Sequence, residues 1–323
     1  MNEVKTLNGL MKHLRDKHNI SIGNSSQKQK LRNIGYYHGF KGYRYILTPN
    51  NKIQYRDFEE IMAINNFDMK LKTLFYPKIM FIETALKNYV LEVITEESGS
   101  SSVGKIYETL LTDYKSCSIG SRNYKEKMKK RLEIRNTIYK TLAFNYSKGV
   151  KTVTHFYDTE KSVPIWAVFE NINLGDFGNF VSCLNSDCRR KIECLLGINI
   201  ALDSGFKLLE RIVFILKDLR NAIAHNNVIF DTRFKRSNSA IQITNYIESE
   251  VNINNVLFTS IVDYVILVAI VLKLMKVSKR EINKFILEFE QILDDFYKSN
   301  PNIYISLIPT DTNNKVINLK NFI

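Results

Sequence analysis

Three side chains close together in the sequence have the chemistry needed to cleave a phosphodiester: Arg220, Asn221 and His225. The imidazole of His225 can take or give a proton near neutral pH. The guanidinium of Arg220 can hold a phosphate through two hydrogen bonds and stabilise the charge of its transition state. Asn221 adds an amide that can donate or accept a hydrogen bond. This set could cleave RNA through the ribose 2′-hydroxyl without a metal or another cofactor.

These residues end a segment of helical periodicity, residues 204–225. At about 100° per residue, one stripe about 80° either side of Leu209 contains the apolar residues Ile212, Val213, Leu216, Leu219 and Ile223. Arg220 falls at about 20° and therefore lies inside this stripe. A guanidinium there needs an anion, which is either a carboxylate of the fold or the phosphate of a ligand. Both alternatives fit the sequence.

The spacing of the motif poses a geometric problem, since a straight helix separates Arg220 from His225 by about 140°. The two could act on one phosphate if the last turn is distorted, or if two chains pool their residues across a two-fold axis. We favour the second, a homodimer. Asp218 lies roughly in line with Asn221 and His225 and is a candidate supporting residue. Glu170 is another, as the partner of Arg220 or an orienter of His225, although an ordinary surface acid fits equally well.

The elements around this helix are predicted to be helical, because only 13 Gly and 5 Pro interrupt the chain. The predicted helices cover residues 3–18, 25–34, a long segment from 57, and 121–146, 187–196, 204–225, 253–276 and 279–298. A helix opens at Pro164–Trp166 after a loop containing His155, and a break follows at Gly175–Gly178. The fold class is therefore all-α. We divide it into an accessory module (1–56), a helical domain (57–298) and a tail (299–323) with a short strand at Ile303–Ile308. The module consists of two helices and a hairpin over Gly42–Tyr55.

The net charge of +13 is concentrated in two segments. Residues 1–56 hold 11 basic and 2 acidic side chains, and residues 121–151 hold 10 and 2. This pattern indicates two surfaces for a polyanion, although solvated lysine-rich faces and inward-packed tyrosines are the simpler alternatives. The candidate RNA contacts are Lys28, Lys30, Arg32, Tyr36, Tyr37, Lys41, Tyr43, Arg44, Arg122, Lys125, Lys127, Lys129, Lys130 and Arg131.

Several classes of protein are disfavoured by the sequence. Four cysteines do not form a disulfide framework, and their spacing lacks the ligands of a structural zinc site, so no metal is expected. The first residues show no secretory signal. The most apolar stretch, Val256–Met275, is interrupted by Asp263 and Lys273 and is better explained as a core helix than as a membrane span. A cytoplasmic protein with no membrane partner is expected.

The run from Arg220 to His225 is similar to the R-N-x-x-x-H signature of HEPN ribonucleases. Four further segments occur in the order seen in the AbiD/AbiF abortive-infection (Abi-like) proteins, and this resemblance spans roughly residues 5–235. The segments are IGYYHGFKGYRY (34–45), FEEIMAINNFDMKLKTLF (58–75), VPIWAVFENINLGDFGNF (163–180) and LRNAIAHNNVIFDTRF (219–234).

The resemblance implies a HEPN-type helical bundle that acts as a metal-independent endoribonuclease, usually as a homodimer, in phage defence. Its catalytic residues would be Arg220, Asn221 and His225. Members of the AbiF branch resemble toxins of toxin-antitoxin pairs, restrained by a cognate small noncoding RNA, which suits two basic segments. Other members often carry a second His or a basic residue after the motif histidine, where this chain has Asn226.

Three other interpretations stay open. A non-catalytic HEPN scaffold could hold a structured RNA, with Arg220 as a phosphate clamp. A DNA-binding regulator could use the accessory module, although residues 1–56 show no evident recognition helix. A second, looser motif is formed by Arg32, Asn33 and His38; Gly35 and Gly39 are expected to break any helix there, so RNA contact is a better expectation for it than catalysis.

Overall fold

The computed structural model describes residues 5–235 and 240–323. Across these ranges the regular structure is helical and β-pairing is limited to isolated bridges, which confirms the all-α prediction. The first eight α-helices are α1 (Leu7–His18), α2 (Ser25–Ile34), α3 (Phe58–Ser98), α4 (Val103–Thr109), α5 (Arg122–Ser147), α6 (Lys151–Tyr157), α7 (Ile165–Asn171) and α8 (Leu174–Cys183). The others are α9 (Ser186–Leu196), α10 (Leu208–Ala224), α11 (Ala240–Val251), α12 (Ile261–Leu274), α13 (Lys279–Ser299), α14 (Pro301–Leu307) and α15 (Thr312–Phe322). Shorter turns are a π-helix at Gly35–Lys41 and 3₁₀ turns at Asp113–Ser116 and Ile200–Leu202.

The long helix α3 forms the centre of the bundle. It begins after Asp57, whose carboxylate accepts a hydrogen bond from the backbone N–H of Glu60, and it continues through Pro77 to Ser98. It packs against α13, α9 and α10. Because α3 contacts most of the other long helices, its polar residues can reach several parts of the molecule.

The two apolar segments singled out in the sequence are core helices. On α10 the predicted stripe is buried, except that Ile223 is only partly so. The carboxylate of Asp203 accepts hydrogen bonds from the backbone N–H groups of Lys207 and Leu208 and so caps the start of this helix. The helix α12 is buried along nearly its whole length, although it begins at Ile261 and is shorter than expected. None of the described helices combines the length and the apolar character that crossing a bilayer requires.

The N-terminal module differs from its predicted shape. A π-helix occupies Gly35–Lys41, where the two glycines were expected to prevent a helix. The predicted hairpin over Gly42–Tyr55 is present only as one antiparallel bridge between Tyr45 and Lys52, flanked by backbone hydrogen bonds from Ile46 to Asn51 and from Ile53 to Arg44, and no regular strand extends from it. Beside this bridge, the guanidinium of Arg233 donates hydrogen bonds to the carbonyls of Gly42 and Tyr45. The same hydrophobic core includes residues of this module and of the long helices, from Met11 to Leu319.

Three other local predictions were also wrong. The expected break at Gly175–Gly178 lies inside α8, since Gly178 provides a close approach to α10: a Cβ there would lie 3.0 Å from Val213 Cγ1. His155 lies in α6 and not in a loop. The expected strand Ile303–Ile308 is mostly helical, because the side chain of Asn300 caps α14 and Pro301 occupies its first turn.

Candidate active site

The three motif residues lie where α10 ends. Arg220 and Asn221 belong to its last turn, and His225 is the first residue after it. The side chains of Asn221 and His225 are exposed, and that of Arg220 is 31% exposed. The guanidinium Nη1 of Arg220 lies 3.4 Å from the Oδ1 of Asn221, to which it donates a hydrogen bond. Asn221 therefore contacts Arg220 directly and lies one helical turn before His225.

The anion that accompanies Arg220 is Glu83 of α3. The Nε of Arg220 lies 3.5 Å from the Oε2 of Glu83, and both of these atoms are buried without a hydrogen-bond partner. Glu83 also pairs with Lys87, at 3.2 Å. The prediction that Glu170 pairs with Arg220 is wrong, because Glu170 is exposed on α7. Helical spacing gave no signal for Glu83, which lies about 100° around α3 from its apolar neighbour Ile82.

An open cleft of about 800 Å³ lies beside the end of α10. Its wall on that side includes Asn221 and His225, and the buried Asp218 lies at its edge and pairs with Lys217, at 3.2 Å. Tyr37 and His38 of the π-helix also line the cleft. Arg220 is not among the residues that line it, which agrees with the angular separation expected from the helix. The chain thus brings Asn221 and His225 into one cleft and places Arg220 on the adjoining face.

A buried carboxylate holds the turn that follows His225. Asp68 of α3 accepts hydrogen bonds from the backbone N–H groups of Ile229 and Phe230, at 2.8 and 2.9 Å. It also forms an ion pair of 2.8 Å with Lys72, whose Nζ donates to the Oδ1 of Asn226 at 2.8 Å. Asn226 has a φ of +52°, in the left-handed region that Asn tolerates better than most residues.

Asp68 and Lys72 were not predicted to be residues of the site. Their signal was a pair of opposite charges four residues apart, Asp68 and Lys72, on the inward face of a predicted helix. Such a pair is ordinarily interpreted as a surface ion pair. Here their side chains are 0% and 6% exposed. The pair is therefore a buried support of the site.

The predicted RNA contacts of the N-terminal module divide into exposed and buried residues. Tyr43 is buried and its hydroxyl donates to Asp68 at 3.0 Å, so it cannot stack on a base and that prediction is wrong. Burial and the adjacent Asp68 also raise the pKa of Tyr43. Tyr37 is 72% exposed, and the ammonium of Lys41 lies 4.4 Å from the centre of its ring. Lys41 and Arg32 are exposed, Lys30 pairs with Glu59, and partly buried positions are held by Lys28, Tyr36 and Arg44.

Most basic residues at the start of α5 already have acidic or carbonyl partners. The ion pairs are Arg122–Glu126, Lys127–Asp113, Lys129–Glu133 and Lys130–Glu210, with N–O distances of 2.8, 2.7, 3.6 and 3.4 Å. Arg131 donates to the carbonyls of Tyr107 and Leu111 and stacks over the ring of Tyr107. Lys127 and Arg131 thus hold the segment before α5 in place. Lys125 is exposed and has no such partner among the described residues.

Within residues 5–235 and 240–323, no three His, Cys, Asp or Glu side chains are grouped as metal ligands. No curated protein and no solved structure matches the chain significantly. The sequence profile of one family, described as Abi-like protein, matches residues 29–231, which is more than half of the chain. The matched region runs from the N-terminal module past the end of α10, so it includes all the residues that line the cleft except Arg233 and Phe234. The chain belongs to the Abi-like protein family.

Proposed function

We propose that this protein is a metal-independent endoribonuclease of phage defence, with Arg220, Asn221 and His225 as its catalytic residues. Membership of the Abi-like family suggests a role in abortive infection. The observation that carries the proposal is the arrangement at the end of α10. Asn221 and His225 share an open cleft, and the guanidinium of Arg220 contacts Asn221.

The proposed chemistry uses the ribose as its own nucleophile. A phosphodiester of RNA lies in the cleft, and the 2′-hydroxyl attacks the adjacent phosphorus while the bond to the 5′-oxygen breaks. His225 transfers a proton in this step. Asn221 holds a phosphate oxygen, and Arg220 stabilises the added negative charge. The products are a 2′,3′-cyclic phosphate and a free 5′-hydroxyl.

A homodimer would resolve the separation of Arg220 from the cleft. Arg220 lies on the face of α10 that adjoins the cleft, and its charge is only partly balanced by Glu83, at 3.5 Å. A two-fold axis beside α10 would bring the partner's guanidinium towards the scissile phosphate. Asp218 would act as a supporting residue, since its buried carboxylate fixes Lys217 at the edge of the cleft.

RNA is proposed both as the substrate and as a restraining partner, a cognate small structured RNA. The exposed cations Arg32 and Lys41 and the exposed ring of Tyr37 lie on the module that forms one wall of the cleft. Cations bind phosphates, and an exposed aromatic ring can stack on an unpaired base. Lys125 offers a further exposed cation on α5.

The test is RNA cleavage by purified protein in the presence of EDTA. We expect wild-type cleavage to yield cyclic phosphate ends, and Arg220→Ala and His225→Ala to lower the rate by about a hundredfold or more. His155→Gln is the matched control, since His155 is an exposed histidine on α6, outside the cleft. Cleavage that persists at the wild-type rate in both alanine variants, with their folding intact, would refute the proposal.

One observation favours a second candidate, a non-catalytic scaffold that binds a structured RNA. Arg220 already has the carboxylate of Glu83 beside it, and a guanidinium so placed could serve as a phosphate clamp or as a structural ion pair. This candidate predicts RNA affinity that falls steeply with salt and no cleavage by the wild-type protein. The same cleavage assay therefore separates the two.

A further inference from the structure

The cleft that contains His225 contains a second imidazole. His38, in the π-helix Gly35–Lys41, lines the same cavity of about 800 Å³. Both histidines are exposed, and among residues 5–235 and 240–323 neither side chain has a hydrogen bond, ion pair or ring contact. The two residues are far apart in the sequence, so only the fold brings them to one cavity.

Close backbone contacts fix the segment that carries His38. The backbone N–H of Gly42 donates to the carbonyl of Tyr37 at 2.8 Å. A Cβ at Gly42 would lie 2.5 Å from the carbonyl oxygen of His38 and 3.4 Å from Val228 Cγ2. Residue 42 must therefore be glycine for the π-helix to end here and rest against the turn that follows His225.

Arg233, in the segment that follows His225, forms hydrogen bonds with the chain that follows His38. Its Nη1 donates to the carbonyl of Gly42 at 2.9 Å, and its Nη2 donates to the carbonyl of Tyr45. The carboxylate of Asp231 holds the guanidinium in place at 2.6 Å and accepts a hydrogen bond from the backbone N–H of Leu47. These contacts join the chain just after His38 to the chain just after His225.

One buried carboxylate anchors both walls of the cleft. Asp68 accepts from the hydroxyl of Tyr43, which follows the π-helix, and from the backbone N–H groups of Ile229 and Phe230, which follow His225. A support of this kind fixes the backbone segments from which the two imidazoles extend. The spacing between the two histidine segments is therefore a built feature of the fold.

We propose that His38 and His225 of one chain form the acid-base pair of the cleavage reaction; the proposal rests on the function proposed above. One imidazole removes the proton of the 2′-hydroxyl as the bond between the 2′-oxygen and phosphorus forms. The other, protonated, gives its proton to the 5′-oxygen as the bond from phosphorus to that oxygen breaks. Each proton has a donor and an acceptor, so no further reactant is needed.

Other charged and titratable groups surround this pair of histidines and contribute to the electrostatic potential in the cleft. Those on α10 and the segment after it are Lys217, Asp218 and Arg233. Those of the module are Tyr37 and Tyr43. The helix α3 adds the buried pair Asp68 and Lys72, which supports the turn after His225. Asp218 is paired with Lys217, Asp68 with Lys72, and Arg233 with Asp231. Both imidazoles that line the cleft, those of His38 and His225, are exposed.

The first test compares cleavage rates across pH for the wild-type protein, His38→Gln, His225→Gln and the control His155→Gln. An acid and a base acting together give a bell-shaped profile. We expect His38→Gln to lower kcat by about a hundredfold and to remove one limb of the bell, with the thermal unfolding midpoint unchanged. If His38→Gln retains both limbs, or raises KM with kcat intact, His38 is at most a binding contact and the pair does not exist.

A modified substrate separates the two roles. When sulfur replaces the bridging 5′-oxygen at the mapped cleavage site, the leaving group departs without protonation, so the variant that lacks the general acid regains its rate. We expect this rescue in one of the two glutamine variants and not in the other. Rescue of neither variant would overturn the pair. If the wild-type rate does not depend on His225 at all, the proposed function itself fails, which is a different result from indifference to His38 alone.

Mixing the two inactive variants tests whether both histidines act from the same chain. A mixture of His38→Gln and His225→Gln chains contains no chain with both imidazoles, whichever way the chains associate. We expect the mixture to stay inactive. Recovery of activity towards about a quarter or more of the wild-type rate would show that the histidines meet across a subunit interface, and would overturn the single-chain pair.

Discussion

Arg220 is held between two possible partners. Its Nε faces the Oε2 of Glu83 at 3.5 Å, yet neither atom has a hydrogen bond, while its Nη1 contacts Asn221. A well-formed Arg–carboxylate pair has shorter hydrogen bonds, about 2.7–2.9 Å. The guanidinium is therefore restrained by Glu83 but retains donors for another anion. This geometry leads to a prediction at the scale of single residues.

Glu83→Gln should strengthen RNA binding if Arg220 contacts a phosphate. The substitution removes the competing negative charge while it keeps the size of the side chain, and a change of about 1 kcal/mol would lower the Kd about fivefold. The measurement is RNA affinity at two salt concentrations in a His225→Ala background, which prevents cleavage. Glu170→Gln is the control, because it removes an exposed carboxylate on α7. An equal effect of both substitutions, or none, would contradict a phosphate role for Arg220.

At the scale of elements, α3 supports both parts of the site. Its Glu83 meets Arg220, and its Lys72, earlier in the helix, meets Asn226. Along the chain, Lys72 precedes Glu83, whereas their partners come in the reverse order, since Arg220 precedes Asn226. The helices α3 and α10 therefore run in opposite directions here. The same helix thus positions the guanidinium and, through Asp68, the turn that carries His225.

Two lysines of α3, two residues apart, should differ sharply in their effect on stability. Lys72→Met leaves the carboxylate of Asp68, which is 0% exposed, without its charge partner, and we expect the free energy of unfolding to fall by about 3 kcal/mol. Lys70→Met removes a pair with Asp295 on the surface and should cost less than about 1 kcal/mol. Denaturant unfolding of the two variants measures both values. Similar losses for the two would show that Asp68 does not depend on Lys72.

Helix ends that have a local sequence signal were predicted correctly. The predictions failed where a contact with a distant part of the chain determines the local structure. Both ends of α2 and the C-terminal end of α9 match the prediction, since Asn24 caps the first, and Gly35 and Gly197 follow the two C-terminal ends. Gly178 indicated a break, but its lack of a side chain is used for contact with α10. The apolar run at Ile303 indicated a strand, yet the local Asn300 cap determines a helix.

For the site, the positions of its residues on α10 could be predicted from the sequence, but their partners could not. The stripe on α10 and the outlying position of Arg220 follow from helical spacing alone, and the separation of Arg220 from the cleft that contains His225 agrees with it. The residues that contact this end of α10 could not be predicted, because Glu83 and Asp68 lie more than a hundred residues earlier in the chain. Pairing over such distances depends on how helices pack, which one sequence does not encode in a local pattern. RNA contact was expected of His38 and not catalysis, because Gly35 and Gly39 were expected to break any helix there.

At the scale of the whole molecule, the two basic segments lie near opposite ends of α10. Lys130 of α5 pairs with Glu210 in the first turn of α10, whereas the N-terminal module lies beside its last turn. Glu210 precedes His225 by 15 residues, which corresponds to about 22 Å along a helix. This spacing separates the part of α5 around Lys130 from the cleft, and it constrains the RNA that could reach both.

A buried carboxylate near the start of α10 should make stability depend on pH. Burial raises the pKa of Glu193 to about 7, and its Oε1 accepts from the backbone N–H of Leu209 at 3.1 Å. Between the ordinary pKa of a glutamate and about 7, the folded protein keeps a proton that the unfolded chain releases. Stability therefore falls as pH rises through this range and levels off above it.

Glu193→Gln removes this dependence. From pH 5 to pH 8, we expect the unfolding free energy of the wild-type protein to fall by about 2.5 kcal/mol relative to that of the variant, which has no carboxyl group at this position. Urea unfolding at the two pH values measures the change, and Glu108→Gln, at an exposed acid of α4, is the control. Parallel curves for the wild-type protein and Glu193→Gln would mean that Glu193 is ionised in the folded state throughout this range.

The separation of the basic surfaces predicts that the length of the RNA decides whether α5 contributes to binding. A distance of about 22 Å corresponds to about six phosphates of one strand, at about 3.4 Å each. The double variant Lys125→Gln and Lys129→Gln should therefore bind a trinucleotide as the wild-type protein does. A structured RNA of about 20 nucleotides should bind it more weakly, with a salt slope lower by about 1 for each lost phosphate contact.

The matched control for this comparison is Lys284→Gln with Lys298→Gln, which removes two equally exposed lysines from α13. All four lysines form at most weak ion pairs with acids on their own helix, so the loss of charge is the same. If RNA only senses the net charge of the protein, both double variants weaken binding alike at every length. A length-dependent loss confined to the α5 variant would instead mean that one RNA lies along α10 from the cleft to α5. The proposed restraining RNA requires this arrangement, because it must cover the candidate active site and contact α5 at the same time.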